Sequence, residues 1–253
     1  MLRVTSDEGA SYLHIAYLPK SAGWLLPIIT AVRGARSPEL RTRANGWPDG
    51  DLPELGLAVS TKLAILPHVS REFQSLLAQL GKEVADIENL DEYIEEQAGF
   101  VPKDGQLPYR LLASIDAFIY EFRSTYEIVG KFLVAFSAKI LGSQLTEQQV
   151  RSLLRDSGIS DAWVADLADQ RKLFFHETAP WIAVKILSRR PLACELLILR
   201  RNVRDLDGSP DVIQFDRVKA VQTGLVTAMG RLQTWLIDRV AQVDTDMLRD
   251  RPS

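Results

Sequence analysis

Two long segments of the chain, residues 108–141 and 214–244, repeat an apolar residue every three or four positions. In the first segment these residues are Leu111, Ile115, Phe118, Phe122, Tyr126, Val129, Leu133, Phe136 and Ile140. The spacing follows the roughly 3.6-residue turn of an α-helix and gives each segment one continuous apolar face. Faces of this length are typical of bundles, in which long helices pack side by side. The pattern therefore predicts a mainly α-helical bundle.

The connection between the two long helices is predicted to hold two shorter ones. Gly142 ends the first long helix, and Thr146 with Gln149 forms a capping box for a short helix. The next helix carries Leu167 and must end before Pro180. Proline lacks an N–H donor and disfavours helical structure at the residue before it.

After Pro180 the pattern changes to two short apolar runs, WIAVKILS and LACELLILR, separated by RRP. Runs rich in β-branched residues on either side of a turn are typical of a β-hairpin. Cys194, the single cysteine, lies in the second run and is predicted to be a small buried hydrophobic residue. One cysteine excludes an internal disulfide and is typical of a reducing cytoplasm.

The first 105 residues have a weaker pattern. Residues 34–56 hold several glycines and prolines with scattered arginines, and they are predicted to be irregular. Residues 70–82 and 83–98 are predicted to form two helices, and SYLHIAYL a strand. We expect residues 1–105 to pack as an N-terminal elaboration on a helical core formed by residues 106–253.

The composition, 46% hydrophobic and 25% charged residues in 253, is that of an ordinary globular protein. The longest strongly apolar run, WLLPIITAV, is shorter than the about 20 residues of a membrane-spanning helix. The first residues, MLRVTSDEGASYL, lack the apolar core of a secretory signal. We therefore expect a cytoplasmic protein that has no membrane partner.

Several enzyme classes are disfavoured because their motifs are missing. The three histidines are far apart, and none has the spacing of a zinc site. The chain lacks the phosphate-binding GxxxxGKS/T, the dinucleotide-binding GxGxxG and the nucleophile motif GxSxG. The net charge of −3 gives no sign of nucleic-acid binding, and the arginine clusters at residues 33–43 and 189–204 are typical of solvated loops. We expect neither a metal ion nor an organic cofactor.

The segment DQRKLFFHETAPW places His176 five residues after Arg171. At about 100° per residue, positions five apart point roughly 140° away from each other on an ideal helix. The two side chains meet only if the arginine wraps around the helix, the helix loosens before Pro180, or a second subunit joins the site. Otherwise Arg171 is a surface residue, and His176 is a helix-end residue stabilised by the helix dipole.

The part QRKLFFHE resembles the signature of the HEPN superfamily, an arginine followed after four to six residues by a histidine near the end of a core helix. The order of elements is also similar, because a long helix, LLASIDAFIYEFRSTYEIVGKFL, comes before the motif helix and another core helix follows. The resemblance covers residues 108–245. One departure is Lys172, since many family members have Asn or Asp after the arginine.

The resemblance implies a metal-independent endoribonuclease of the toxin or defence type. In such an enzyme His176 would move protons, and Arg171 would stabilise the charge that develops on the phosphate. Lys172, Arg189 and Arg190 would contact the RNA backbone. The resemblance also implies a homodimer that brings two Arg–His pairs together, and an antitoxin or another regulatory protein as a partner.

Two other interpretations stay open. One is a non-catalytic helical module for RNA binding, protein interaction or dimerisation, in which the arginine and the histidine are structural. The other is a small-ligand or nucleotide binder that uses the same pocket. Within the first long helix, Asp116, Glu121 and Arg123 would orient Arg171 if that face packs on the motif helix.

Overall fold

Helices dominate the residues that the computed structural model describes, which are 22–45, 51–95, 100–156, 162–172, 181–189, 192–200, 206, 209 and 211–250. The helices are α1 (Ala22–Arg33), α2 (Pro38–Asn45), α3 (Asp51–Ala85), α4 (Leu90–Glu95), α5 (Leu107–Phe136), α6 (Glu147–Asp156), α7 (Ala162–Lys172) and α8 (Phe215–Arg249). The strands are β1 (Trp181–Arg189), β2 (Leu192–Leu199) and β3 (Val212–Gln214). The predicted mainly α-helical bundle with a small β-hairpin after the motif helix is confirmed.

The long helix α5 contacts α3, α6, α7 and α8. Its predicted apolar face is buried, with Phe122 and Phe132 only 1% and 0% exposed. Pro108 lies in its first turn, where the missing N–H leaves no hydrogen bond unmade. The chain continues as a wider π-helical turn, Ser137–Leu141, which Gly142 closes with a φ of 70°. Because that left-handed conformation favours glycine, the predicted helix end at Gly142 is confirmed.

The helix α3 has 35 residues and packs along α5. Its buried face repeats every seven residues, as in a coiled coil. The residues on this face are Leu52, Val59, Leu66, Phe73 and Leu80. Pro67 lies inside the helix on its exposed side. The helical hydrogen bond that proline cannot make is therefore missing on the side that faces solvent. The prediction of two helices at residues 70–82 and 83–98 is therefore wrong, because the first is part of α3 and only the short α4 follows.

Residues 34–56, predicted to be irregular, contain α2 and the start of α3, so that prediction is wrong as well. Ser37 caps α2, since its Oγ accepts the N–H of Leu40 at 3.2 Å. The carboxylate of Asp244, near the end of α8, accepts the backbone N–H of Arg36 at 2.9 Å and that of Ser37 at 2.7 Å. The start of α2 is thus completed by a residue from the opposite end of the chain.

Two arginines of the first cluster bind backbone carbonyls, although Arg41 is also exposed to solvent. Arg41 Nε donates to the carbonyl of Ala35 at 2.9 Å, and Arg43 Nη1 donates to the carbonyl of Ile140 at 3.3 Å. Arg43 also pairs with Glu39 of the same helix at 2.8 Å. These bonds tie α2 to the end of α1 and to the π-helical turn after α5.

The contacts of Asp244 make part of the stability depend on pH. Burial acts to raise the pKa of Asp244, but the hydrogen bonds from Arg36 and Ser37 outweigh it, so the pKa lies below its ordinary value. A carboxyl group with a lowered pKa in the folded state stabilises the fold above its unfolded pKa of about 3.9. That stabilisation is lost as the pH falls through the lower, folded-state pKa.

Replacing Asp244 by alanine is expected to lower the free energy of unfolding by about 1 kcal/mol at pH 7, the usual effect of losing a cap. The difference from the unmodified protein should begin to shrink below about pH 4 and vanish below the folded-state pKa, where the carboxyl group is protonated in both states. Urea unfolding at pH 7 and pH 3 measures both values. Asp246→Ala, an exposed position two residues further on, is the control and should change stability by less than about 0.5 kcal/mol. Equal losses for the two variants would contradict the capping role.

The capping box predicted at the start of α6 is confirmed. Gln149 Oε1 accepts the backbone N–H of Thr146 at 2.8 Å, and Thr146 Oγ1 accepts the backbone N–H of Gln149 at 3.3 Å. Both residues thereby bind N–H groups that the helix itself leaves without a partner. Pro180, predicted to follow the next helix, lies outside the described residues.

The strands β1 and β2 form the predicted antiparallel hairpin, and β3 adds a third strand that was not predicted. Trp181 pairs with Leu199 at one end of the hairpin, and Arg189 pairs with Leu192 at the tip. Only the second half of β2 is buried, so the tip projects beyond the core. Cys194 lies in this tip and is exposed. The prediction that Cys194 is buried is wrong because the strand is longer than the core that covers it.

One hydrophobic core joins α1, α3, α5 and α8. Trp24 of α1 lies edge-on to Phe132 of α5, with ring centroids 5.7 Å apart, and donates its indole N–H to the carbonyl of Met229 on α8 at 2.8 Å. Helices from before and after residue 105 therefore contribute to the same core. The division into residues 1–105 and 106–253 stays a prediction, and the segment SYLHIAYL lies outside the described residues.

Candidate functional site

The predicted motif helix, α7, packs on α8 and also contacts α5. Trp163 and Leu167, one turn apart, are 4% and 1% exposed and form its buried face. The Trp163 ring meets Tyr126 of α5 edge-on, with centroids 5.4 Å apart. The indole lies directly on Gly224 of α8, where an added β-carbon would be 2.5 Å from Trp163 Cβ and 2.7 Å from Cδ1. These contacts fix α7 against both long helices.

Arg171 lies in the last described turn of α7. It follows Leu167 by four residues and Trp163 by eight, so the helical repeat places position 171 on the same side of the helix as these two. The structure describes the backbone of Arg171 but not its side chain, and His176 lies outside the described residues. The approach of the two side chains to each other therefore stays a prediction.

The three residues predicted to contact RNA are spread along the chain. Lys172 is the last described residue of α7, and its side chain is exposed. Arg189 ends β1 at the hairpin tip, eight residues from Trp181 and roughly 26 Å away at about 3.3 Å per residue. Arg190 lies outside the described residues. Because Leu199 pairs with Trp181, the strand register places Arg200, rather than Arg189, at the hairpin end that follows the motif segment.

Two of the three charged residues on α5 that could orient Arg171 have other partners. Glu121 Oε2 binds Lys62 Nζ of α3 at 2.7 Å, and Arg123 Nε binds Glu127 Oε1 one turn further along α5 at 2.7 Å. Asp116 Oδ1 is buried and has no hydrogen-bond partner within the described part of the chain, and burial raises the pKa of Asp116. Orientation of Arg171 by Asp116 stays a prediction.

The described residues contain neither a cluster of metal-ligating side chains nor a helix that could cross a membrane. In this part of the chain, no three His, Cys, Asp or Glu side chains come together as ligands of a metal ion would. None of the described helices is both long and apolar enough to cross a membrane.

A cavity of about 250 Å³ lies between α3, α5 and α8. Its walls are formed by Ser70, Phe73, Gln74, Phe118, Lys219, Gln222 and Thr223. Phe73 and Phe118 provide apolar surface, with ring centroids 6.0 Å apart, and Gln222 Nε2 donates to Ser70 Oγ at 3.3 Å. No local motif predicts this cavity, because its walls come from three helices that are distant in sequence. The one sequence signal is the presence of polar residues, such as Ser70 and Gln222, beside the apolar faces.

Two regions of the fold are therefore candidates for function, the end of α7 and the cavity beside α8. They are adjacent, because Gly224 supports α7 and its neighbour Thr223 lines the cavity. No protein-family model, curated protein or solved structure matches this chain. Its function has to be inferred from its own residues and their geometry.

Proposed function

We propose that this protein is a HEPN-like RNA-binding protein that cleaves RNA without a metal ion, with Arg171 and His176 as its catalytic residues. The observation that supports this proposal is the packing of α7. Trp163 and Leu167 anchor the helix on α8 and α5, so position 171 lies on a helix that is held in place by its packing. Catalytic groups on packed helices keep their geometry better than groups on free loops.

The chemistry requires a group that moves protons and a fixed positive charge. The 2′-oxygen of a ribose attacks the adjacent phosphorus, the bond from phosphorus to the 5′-oxygen breaks, and a cyclic phosphate and a 5′-hydroxyl result. Histidine, with a pKa near 6.5 in model compounds, can accept the proton of the 2′-hydroxyl or supply one to the leaving oxygen near neutral pH. Arginine stays charged and offers paired donors to the phosphate oxygens. DNA lacks the 2′-hydroxyl and would not be cleaved.

A homodimer completes the proposed site. One histidine cannot be the base and the acid of the same step, whereas two copies of the chain supply two histidines and two arginines. We assign Lys172, which is exposed next to the motif, to a phosphate contact. Arg189 and Arg190 would contact the RNA backbone further along, at the hairpin tip. A cytoplasmic toxin or defence role, controlled by an antitoxin or another regulatory protein, is part of the same proposal.

The purified protein is expected to cleave single-stranded RNA in the presence of EDTA, and to lose at least about 100-fold in rate in Arg171→Ala or His176→Ala, because general acid–base catalysis contributes that much or more. Gel analysis of a labelled RNA gives the rates, and a cyclic phosphate at the new end identifies the reaction. Arg151→Ala and His68→Ala are matched controls, since both residues are exposed on other helices. Both controls should cleave at the unmodified rate.

A mixture of Arg171→Ala and His176→Ala proteins tests the dimer. Recovery of activity on mixing indicates that one copy supplies the arginine and the other the histidine. Cleavage that persists in both single variants would overturn the assignment of these residues. RNA binding without any cleavage by the unmodified protein would replace the proposal with a non-catalytic RNA-binding module.

A further inference from the structure

We propose that the outer edge of β1 pairs with β1 of a second copy of this chain, antiparallel and centred on Val184. The described sheet has the order β1-β2-β3, so β1 is one of its edges. An edge strand presents a row of backbone N–H and C=O groups that can pair with another strand. The inference names a surface for the homodimer of the proposed function, although the pairing itself is argued from β1 alone.

The backbone groups that point to the open edge belong to Ile182, Val184 and Ile186. The N–H of Arg200, which continues β2, donates to the carbonyl of Asp211 at 2.8 Å, on the side of β3. Successive residues of an antiparallel strand turn their backbone groups to alternate sides, so the odd-numbered residues of β2 face β1. These residues pair with the odd-numbered residues of β1, and the even-numbered residues of β1 therefore face outward. Among the described residues, β2 is the only strand that pairs with β1.

The side chains of this row make the edge self-complementary. Ile182, Val184 and Ile186 have the same order in both directions around Val184, and the core buries them only in part. An antiparallel copy centred on Val184 would place Ile182 opposite Ile186 and Val184 opposite itself. Each of these facing pairs would exchange two backbone hydrogen bonds, and its apolar side chains would cover each other. A second copy of the chain therefore fits this edge.

The large exposed side chains of β1 agree with the same register. Trp181 and Leu187 are 55% and 59% exposed, although both are apolar. Because they are equally far from Val184 in sequence, the pairing would place Trp181 of each copy beside Leu187 of the other. Lys185 would lie opposite Ala183, whereas a pairing centred on Lys185 would place two like charges directly opposite each other. The register centred on Val184 is therefore the favoured one.

The pairing would also bring the hairpin tip of one copy to the motif segment of the other. A bulge between Ile186 and Ser188 ends the regular part of β1, so the tip lies beyond the paired residues. Position 189 is roughly 26 Å from Trp181 in its own chain at about 3.3 Å per residue. In the dimer it would lie near the start of β1 of the other copy, which follows the motif segment. If the proposed function is correct, Arg189 of one copy thus contacts RNA at the site of the other.

Sedimentation of the full-length protein without RNA, from about 1 to 200 μM, should show a dimer fraction that rises with concentration, because one strand pair is small beside a standard interface of about 1,600 Å². Val184→Pro should be monomeric over this range, because proline has no N–H to donate to the second copy. Its circular dichroism should be unchanged, since proline is tolerated where the N–H of an edge strand faces outward. Val184→Ala, which keeps the N–H, is the matched control and should still dimerise.

Cysteine variants made in Cys194→Ala, which lacks the single cysteine, test the register without the proline. Facing residues that exchange hydrogen bonds have Cα atoms about 5.5 Å apart, a distance that a disulfide can bridge. Val184→Cys should therefore form a disulfide-linked dimer under mild oxidation. Ile182→Cys should not, because its two copies would lie roughly 13 Å apart along the strands. A mixture of Ile182→Cys and Ile186→Cys should cross-link, because these positions face each other.

The proposal is overturned if the protein is monomeric throughout the concentration range, or if Val184→Pro folds and dimerises like Val184→Ala. If Val184→Pro does not fold, the cysteine variants decide, and cross-linking of Ile182→Cys alone as readily as Val184→Cys overturns the register. None of these measurements needs RNA. A protein that dimerises through β1 without cleaving RNA would refute the proposed function alone. One that cleaves RNA but forms none of these dimers would refute this inference alone.

Discussion

Alanine at position 132 is expected to lower the free energy of unfolding by about 3–5 kcal/mol, the usual range for truncating a buried phenylalanine. The side chain of Phe132 is 0% exposed. It meets Trp24 of α1 edge-on and approaches α3 at Gly56, where an added β-carbon would lie 3.5 Å from the Phe132 ring. Because Trp24 also bonds to Met229 of α8, a cavity at position 132 would weaken the junction of four helices.

Urea unfolding, followed by tryptophan fluorescence and by circular dichroism, measures this effect. The two signals should give one coincident transition, because helices on both sides of residue 105 share the core. Tyr109→Ala is the control, since Tyr109 lies on the same helix but is 69% exposed and should change stability by less than about 0.5 kcal/mol. If Phe132→Ala does not fold, Phe132→Leu should fold with a loss of about 1–2 kcal/mol. Two separate transitions, or a loss as small as that of Tyr109→Ala, would contradict the shared core.

The helices that could be predicted are those whose apolar faces continue without interruption. In α5 and α8 neither a proline nor a charged residue breaks the apolar face, so local spacing is sufficient. The first half of α3 contains Pro53, Gly56 and Pro67, which locally indicate a loop. The seven-residue repeat from Leu52 onwards overrides these signals, because its burial against α5 stabilises the helix more than the breakers disfavour it.

Some features of the predicted site could likewise be predicted from local sequence, and others could not. The place of α7 in the order of elements could be predicted, because Leu167 and the capping of α6 are local features. The support of Trp163 by Gly224 could not be predicted, because a glycine inside a helix has no sequence feature that identifies its partner. The cavity was missed for a similar reason. Ser70 and Gln222 meet only after α3 and α8 have packed together, and local spacing contains no information about that contact.

The contact between Trp163 and Gly224 leads to the second large prediction. Two glycines inside α8, Gly224 and Gly230, have opposite surroundings. A β-carbon at Gly224 would collide with Trp163 Cβ, Cγ and Cδ1, whereas a β-carbon at Gly230 would meet nothing within 4 Å. Alanine favours helix over glycine by about 1 kcal/mol at either site. Overpacking in a well-filled core usually costs about 1–3 kcal/mol, so the collision is expected to outweigh the helix preference at Gly224.

We therefore expect Gly230→Ala to raise the free energy of unfolding by up to about 1 kcal/mol and Gly224→Ala to lower it, with a difference of about 1–3 kcal/mol between the two variants, which is the cost of the collision alone. Urea unfolding gives both values. The atoms that collide are Cβ of Trp163 and the ring atoms next to it, Cγ and Cδ1. Because rotation of the ring does not remove these atoms, the indole has to move as a whole, and α7 has to move with it. Proteolysis should accordingly cleave Gly224→Ala within residues 162–181 faster than the unmodified protein, while Gly230→Ala remains as resistant. If both alanines stabilise the protein, α7 does not lie on α8 at Gly224, and Arg171 loses the rigid support on which the proposed RNA cleavage depends.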